Sequence, residues 1–369
     1  MASFFQAGKN DRWLEHFRDI LNQPNPPKTY CFDDMEQIEE LDVSTGRIVK
    51  EETVTAECLR NRKSHGTDEI AEGRRQYNGE KTCEAIQSLL EPKRSPGRLE
   101  ERRHRQTTQK KGNLSDCGNC RGITLLSVPG KTFCVVLLRR LRAERLREEQ
   151  AGFRSGRPCC EQTFTLRNII EQCVKYCQPI VINFVDFEKA FDSIHRESLW
   201  AILKKVWCTA TFIRIIKNLY LNSSCCIATG VRQGCILSPI LFNRFRHEGN
   251  DGEARTGISW SEQKRLTDLD FADDIALLAE DENELQQITT CLNNEANMIG
   301  LRISADKSKV IRVGFDRTQL SINVDDTTLE TVDSFTYLGS TVTYNSDAER
   351  DVRIRIAKAA AVFQRLQPI

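Results

Sequence analysis

The sequence predicts a mixed α+β protein, and three observations carry that reading. A chain of 369 residues is long enough for two domains, at roughly 100–200 residues each. Apolar residues recur at helical spacing in several windows, as amphipathic helices require. Between those windows lie short apolar runs ending in acid: Ile180-Val181-Ile182-Asn183-Phe184-Val185-Asp186, and LTDLDFADDIALLA (266–279) split around Asp273-Asp274.

Residues 1–30 begin with Trp13-Leu14-Glu15-His16-Phe17 and break at Pro24, Pro26 and Pro27, a short helix followed by an extended linker. Residues 31–90 are helical and polar. From Lys93 to Lys111 eight Lys and Arg stand against two Glu, with Leu99 the lone aliphatic residue; such a charge run reads as a solvated, strand-less segment. Apolar content returns after Asn119. Helices are expected at 131–147, whose polar face carries Arg139, Arg140, Arg142, Arg145 and Arg147, and at 161–176. The β-branched run 180–186 reads as a buried strand. A helix is expected at 193–206, a tight hairpin around Asp273-Asp274, and a helix at 282–299. Strands are expected at 301–304, 309–314 and 335–342, before a basic helical segment at 347–366.

Composition excludes several classes. Lys and Arg number 53 against 52 Asp and Glu, a net charge of +1, so a nucleic-acid face has to come from local clustering. No apolar run is long enough for a membrane-spanning helix, and the N-terminus lacks a secretory signal pattern. Fifteen cysteines without such a signal read as reduced thiols of an intracellular protein, in nucleus or cytoplasm. Cys117/Cys120 and Cys173/Cys177 have no second pair at zinc-site spacing.

The carboxylates point to chemistry. Asp186 ends a strand and Asp273-Asp274 occupies a hairpin tip. Gathering such groups without a cation costs several kcal/mol, so they bind metal or stay solvated. Oxygen ligands on short rigid supports suit Mg²⁺, and two ions about 3.5–4 Å apart suit in-line phosphoryl transfer. An Asp-Asp pair also simply favours a turn.

Four strings stand in order: VDFEKAFD (185–192), RQGCILSP (232–239), LDFADD (269–274) and GLRISADKSK (300–309). Flanking them are GNLSDCGNCRGITLLSVPGKTF (112–133), EEQAGFRSGRP (148–158) and VDSFTYLGSTV (332–342). Over residues 30–360 this set resembles the non-LTR (LINE-type) retrotransposon reverse transcriptases, whose motifs A to D it matches in order. The resemblance implies a right-hand polymerase fold, with fingers, an antiparallel palm sheet and a truncated thumb. It also implies a segmentation: linker 1–30, degenerate N-terminal extension or fingers 31–112, fingers and palm 113–345, start of the thumb 346–369.

It further implies RNA-directed DNA polymerase activity with two Mg²⁺ ions, an RNA template, a DNA primer and deoxynucleoside triphosphates. Asp186 and Asp273 would bind both ions and Asp274 would support them. Phe191 would exclude a 2′-hydroxyl, or else pack in a core. Gln233 and Gly234 would lie near the nucleotide. Lys307 would protonate the leaving pyrophosphate, or else be a solvated lysine. Arg154 and Arg157 would hold the triphosphate, and Arg121 would touch template or nucleotide. Phe335, Tyr337, Leu338 and Gly339 resemble a primer-gripping hairpin.

Several features depart from the family pattern. His65 replaces a proline, the interval from Tyr220 to Val231 is short, and 91–111 lacks an apolar strand. Arg244–Glu253 (RFRHEGNDGE) replaces an apolar helix, so the underside of the Asp186 strand is expected to be partly wet. With no N-terminal endonuclease, the chain reads as a damaged partial copy. An inactive relic with residual nucleic-acid binding and a group II intron-type maturase stay open as alternatives.

Overall fold

A computed structural model describes Glu15, Ile48, Glu52 and residues 103–108, 120–125, 128–142, 149–152, 154, 156–206, 210–221, 256–261, 264–314 and 318–366. In chain order the elements begin with β1 (Arg103–Thr108), β2 (Cys120–Leu125), α1 (Val128–Arg142), α2 (Cys159–Lys175) and β3 (Ile180–Val185). Then come α3 (Ala190–Ser193), α4 (Arg196–Val206), α5 (Ala210–Leu221), β4 (Ile258–Ser261), β5 (Lys264–Leu266), β6 (Asp268–Phe271) and β7 (Asp274–Ala279). The last are α6 (Glu282–Met298), β8 (Lys309–Val313), β9 (Asn323–Val324), β10 (Thr327–Thr328), β11 (Glu330–Thr331), β12 (Ser334–Tyr337), β13 (Ser340–Thr343) and α7 (Ala348–Leu366).

They fall into two units, the first drawn from Met1–Leu146, Lys189–Phe245 and Met298–Gly300, the second from Arg147–Glu188, Arg246–Asn297 and Leu301–Ile369. In the first unit β1 and β2 form an antiparallel pair, from Arg103 opposite Leu125 to Thr108 opposite Cys120. This corrects the strand-less reading of 91–111. Strand formation depends on the partner presented more than on intrinsic propensity, and CRGITL offers a β-branched partner for RHRQTT. Helix α1 buries Phe133, Val136 and Leu137, while Arg140 makes a bidentate pair with Glu52 at 2.8 Å. Helices α4 and α5 bury Leu199, Trp200, Phe212 and Ile216, with the Trp200 and Tyr220 rings edge to face at 5.4 Å.

The second unit is built on a five-stranded sheet of order β11-β8-β3-β7-β6. Four strands are antiparallel, but β11 runs parallel to β8. The expectation of a wholly antiparallel sheet is therefore corrected: the β9–β10 hairpin reverses the chain after β8, so β11 returns in the same direction. The expected strand at 301–304 is a single antiparallel bridge, Phe187 to Ile303. The expected strand at 335–342 is the β12–β13 hairpin, because Leu338 and Gly339 both take positive φ, 48° and 83°, as a primed two-residue turn needs.

All six residues of β3 are buried, because both faces are covered. Ile180, Ile182 and Phe184 join Leu166, Ile169 and Ile170 of α2 in one core with Leu278, Ile311 and Tyr337. On the opposite face the Asn183 amide donates to Thr289 Oγ1 of α6 at 3.0 Å. The partly wet sheet expected from Arg244–Glu253 is thus corrected: α2 and α6 supply the cover, each large side chain buried adding about 1.5–3 kcal/mol. Arg244–Glu253 itself, like His65 and residues 222–231, lies outside the described residues.

Both covering helices start on local signals. Glu161 occupies the first turn of α2 and Lys175 its last, complementing the helix dipole. Before α6, Asp281 Oδ1 accepts from the Glu284 amide at 2.9 Å while Glu284 Oε2 accepts from the Glu280 amide at 3.0 Å, a reciprocal cap.

Helix α7 is tied down by Asp351, which is buried and accepts from the Thr341 amide at 2.6 Å, from Ser340 Oγ at 3.2 Å, and pairs with Arg167 at 2.8 Å and Arg355 at 2.9 Å. Desolvation pushes the carboxyl upward, but the Thr341 amide, the two guanidinium groups and Ser340 outweigh it and hold it below the usual Asp value. A depressed folded value means the contribution is present above the unfolded pKa near 3.8 and is lost as pH falls through the folded one. The protection of the Ala348–Arg355 amides, relative to their intrinsic exchange rates, is expected to fall as pH drops below about 4, and Asp351→Asn should remove that pH dependence. Identical behaviour of the two proteins would contradict this anchoring.

Candidate active site

The site begins with a strand register. Strand β3 pairs with β7 from Val181 opposite Ala279 to Val185 opposite Ile275, so the next positions outward are Asp186 and Asp274. Strand β6 meets β7 with Phe271 opposite Asp274, leaving Ala272-Asp273 as a two-residue loop. Two adjacent strands and one turn thereby deliver three carboxylates to one sheet end.

Their electrostatics follow. Desolvation, then the negative charges of Asp273 and Asp186, push the Asp274 carboxyl up to about 6. Part of that rise is repulsion among the three charges, a deficit that a cation relieves. Among the described residues no group of three or more His, Cys, Asp or Glu side chains is arranged to hold a metal ion. The donors gathered at this sheet end are carboxylate oxygens, the kind a hard divalent cation takes.

Backbone bonds hold Asp186 in place. Its amide donates to Ser308 Oγ at 3.1 Å and its carbonyl accepts from the Ser304 amide at 2.8 Å. Both serines are buried. Lys307, on the same loop, reaches Asp186 Oδ1 at 3.4 Å with most of its side chain in solvent. An exposed pair of this kind adds little stability; its significance is that it brings an ammonium group to the carboxylate end of the sheet.

The segment carrying Arg154 and Arg157 lies against the same end. Ala151 donates to the Asp270 carbonyl at 2.9 Å, and Gly152 faces the loop so closely that a Cβ there would stand 2.3 Å from the Ala272 nitrogen. Arg154 Nη1 donates to the Gln150 carbonyl at 3.3 Å, and the Arg157 amide to the Arg154 carbonyl at 3.4 Å. In the β12–β13 hairpin, Phe335 stacks on Phe184 with ring centres 4.6 Å apart. Tyr337 is buried, its ring beside Phe184 and its hydroxyl donating to the Leu269 carbonyl of β6 at 3.0 Å. Leu338 and Gly339 form the hairpin turn.

The second unit therefore brings Asp186, Asp273, Asp274 and Lys307 to one end, with the Arg154 segment packed beside it. Phe191 lies on α3 in the first unit and is partly buried. Arg121 is on β2, opposite Thr107. Gln233 and Gly234 lie outside the described residues. Sequence reasoning missed Ser308, Ser304 and Gln150. All three stand inside the motif strings, but their role is a hydrogen bond to backbone, which residue type alone does not reveal.

Comparison with known proteins agrees with this geometry. The family model described as reverse transcriptase (RNA-dependent DNA polymerase) matches residues 108–342, more than half of the chain. The "Retrovirus-related Pol polyprotein from type-1 retrotransposable element R2" of Nasonia vitripennis is 28% identical over 266 residues, covering 64% of this chain and 25% of that protein. The "Transposon TX1 uncharacterized 149 kDa protein" of Xenopus laevis is 26% identical over 223 residues, 56% of this chain and 17% of its own length. The "Probable RNA-directed DNA polymerase from transposon BS" of Drosophila melanogaster is 29% identical over 178 residues, 43% and 19% respectively. The chain thus spans a quarter or less of the length of these three relatives. Three carboxylates at the end of a sheet, inside a matched region that holds every motif string and every flanking string, place this chain in the reverse transcriptase family, the RNA-dependent DNA polymerases.

Proposed function

We propose that this chain extends a DNA primer on an RNA template from deoxynucleoside triphosphates, as the polymerase domain of a non-LTR retrotransposon protein. The observation that carries the reading is the β3–β7 register, which sets Asp186 beside Asp274 next to the Asp273 loop. Asp186 and Asp273 would hold two Mg²⁺ ions, with Asp274 in support. Bound there, the ions would lower the pKa of the primer 3′-hydroxyl and neutralise charge on the transferring phosphoryl group. The primer 3′-hydroxyl would give its proton to solvent, its oxygen would bond to the α-phosphorus as the α–β bridging bond breaks, and Lys307 would give the leaving pyrophosphate a proton and regain one from solvent. Arg154 and Arg157 steady the triphosphate, as forked guanidinium groups suit phosphate oxygens.

In this reading residues 113–345 are fingers and palm, with the five-stranded sheet as palm, and α7 begins the thumb. Arg121, Gln233 and Gly234 attend template and nucleotide. The Leu338-Gly339 turn and Phe335 approach the primer, with Tyr337 as their buried support. Among the described residues no helix is long and apolar enough to cross a membrane.

The test is primer extension by purified protein on an RNA template. Extension that requires Mg²⁺ and deoxynucleotides is expected; folded protein without any extension would leave a non-catalytic relic. Phe191 supplies a second prediction. An aromatic ring against the sugar edge costs a ribonucleotide about 1–3 kcal/mol, so Phe191→Val should relax deoxy-over-ribo selectivity roughly ten- to a hundredfold. An unchanged ratio of incorporation would make Phe191 a packing residue.

A further inference from the structure

We infer that Gln150 is a positioning residue for the Asp273-Asp274 turn, holding it through a neutral hydrogen-bond acceptor. Its side chain is nearly fully buried, 4% exposed. Oε1 accepts two backbone amides at once: that of Gly152 at 2.7 Å and that of Ala272 at 3.0 Å. Ala272 immediately precedes Asp273 and sits at φ 60°. A residue with a Cβ populates that region sparsely, and it persists where the surroundings over-determine it. Gln150 supplies one such constraint, bonding the amide of the strained residue itself.

The surrounding bonds fix the segment that carries Gln150. The Asp270 amide donates to the Glu149 carbonyl at 3.2 Å and the Ala151 amide to the Asp270 carbonyl at 2.9 Å. From α2, the Gln162 amide donates to the carbonyls of Glu149 at 3.0 Å and Asp270 at 3.4 Å. These contacts reach β6 and stop before the loop; Gln150 Oε1 reaches the loop. The same residue's carbonyl accepts from Arg154 Nη1 at 3.3 Å. Gln150 therefore links the turn bearing the carboxylates to the segment bearing a guanidinium group.

The choice of an amide has a chemical reason. Two backbone donors need an oxygen, and a carboxylate would provide one. It would also add negative charge beside the three carboxylates that the strand register gathers at one sheet end. A glutamine accepts without adding charge.

The consequence for catalysis rests on the polymerase reading; the consequence for the turn does not. Gln150→Met keeps length and removes the acceptor, Gln150→Asn withdraws it by one methylene, and Gln150→Glu retains it. In the intact chain of 369 residues, amide exchange at Gly152 and Ala272 is expected to accelerate about tenfold or more in the Met and Asn variants, with Leu277–Ala279 changing less than about twofold. The Glu variant should stay near the parent at both amides. Mn²⁺ affinity, read by electron paramagnetic resonance, should fall about tenfold in the Met and Asn variants. In primer extension the same two variants should lose kcat about tenfold or more, with primer KM near the parent's. Unchanged exchange at Ala272, or equal acceleration throughout the sheet, would overturn the inference. So would failure of Gln150→Glu to preserve protection. A parent that does not extend primers overturns the polymerase reading alone, and exchange and Mn²⁺ binding still decide Gln150.

Discussion

Asparagine at Asp186 or at Asp273 is expected to reduce primer extension about a thousandfold or more, the largest effect of any single change at this site. Each substitution keeps the side chain's shape and removes one unit of negative charge from the sheet end. If the lost metal contact is worth about 4 kcal/mol, within the several kcal/mol such ions provide, the rate falls roughly a thousandfold. Stability should move the other way. Desolvation first, then the charges of Asp273 and Asp186, raise the Asp274 carboxyl to about 6, so part of what the folded protein bears at pH 7 without a cation is their mutual repulsion. Either asparagine variant should therefore melt no lower than the parent without Mg²⁺, and should gain less from added Mg²⁺. A variant that extends primers at the parent's rate would remove these carboxylates from the chemistry. One that melts well below the parent would make them structural.

Gly152→Ala is the second large effect, and it arises from close approach. A Cβ at residue 152 would stand 2.3 Å from the Ala272 nitrogen and 2.9 Å from both the Phe271 carbonyl carbon and Gln150 Oε1. Two of these atoms are backbone and cannot rotate away. The Ala272-Asp273 loop or the Gly152 segment has to move. Forcing an extra methyl into a packed contact costs about 1–3 kcal/mol, or roughly 2–4 °C of melting temperature per kcal/mol in a unit of 150–250 residues. Activity should suffer more, since displacing reacting groups by about 1 Å costs on the order of a hundredfold. Thermal melting alongside primer extension checks both parts. Parental values for both would show that the close contact is absent in solution.

The outcome at these two sites differs in how far it was legible beforehand. Asp186, Asp273 and Asp274 could be read directly. A β-branched run ending in acid, and an acidic pair splitting two apolar halves, state both the residue type and the end of the strand that carries it. Helices α2 and α6 were legible for the same kind of reason, with periodic apolar faces and start and stop signals set within a few residues of the chain. Gly152 and Gln150 were not. Their partner, Ala272, is over a hundred residues away, and no local rule says that a backbone will pass that close.

Two expectations failed because they treated a segment as if it stood alone. The 91–111 stretch looks like a charge run, yet Arg103–Thr108 pairs in full register with Cys120–Leu125. A strand's partner supplies what its own residues lack. The sheet was expected to be partly wet beneath Asp186 because Arg244–Glu253 is polar, yet β3 and all but the first residue of β7 are buried, with α2 in the core on one face and α6 bonded to Asn183 on the other. Burial belongs to whatever packs on a face, and sequence order does not name the neighbour.

The sequence by itself determined the family, the carboxylates and the strands and helices that carry them, because periodicity, β-branching and caps act over a few residues. Tertiary structure alone decided the register that sets Asp186 beside Asp274, the serines that hold the Asp186 backbone, the core placement of Tyr337, and the Gln150 and Gly152 contacts at the turn. Each of those depends on atoms far apart in the chain meeting within hydrogen-bond or van der Waals distance, which folding brings about and residue order does not record.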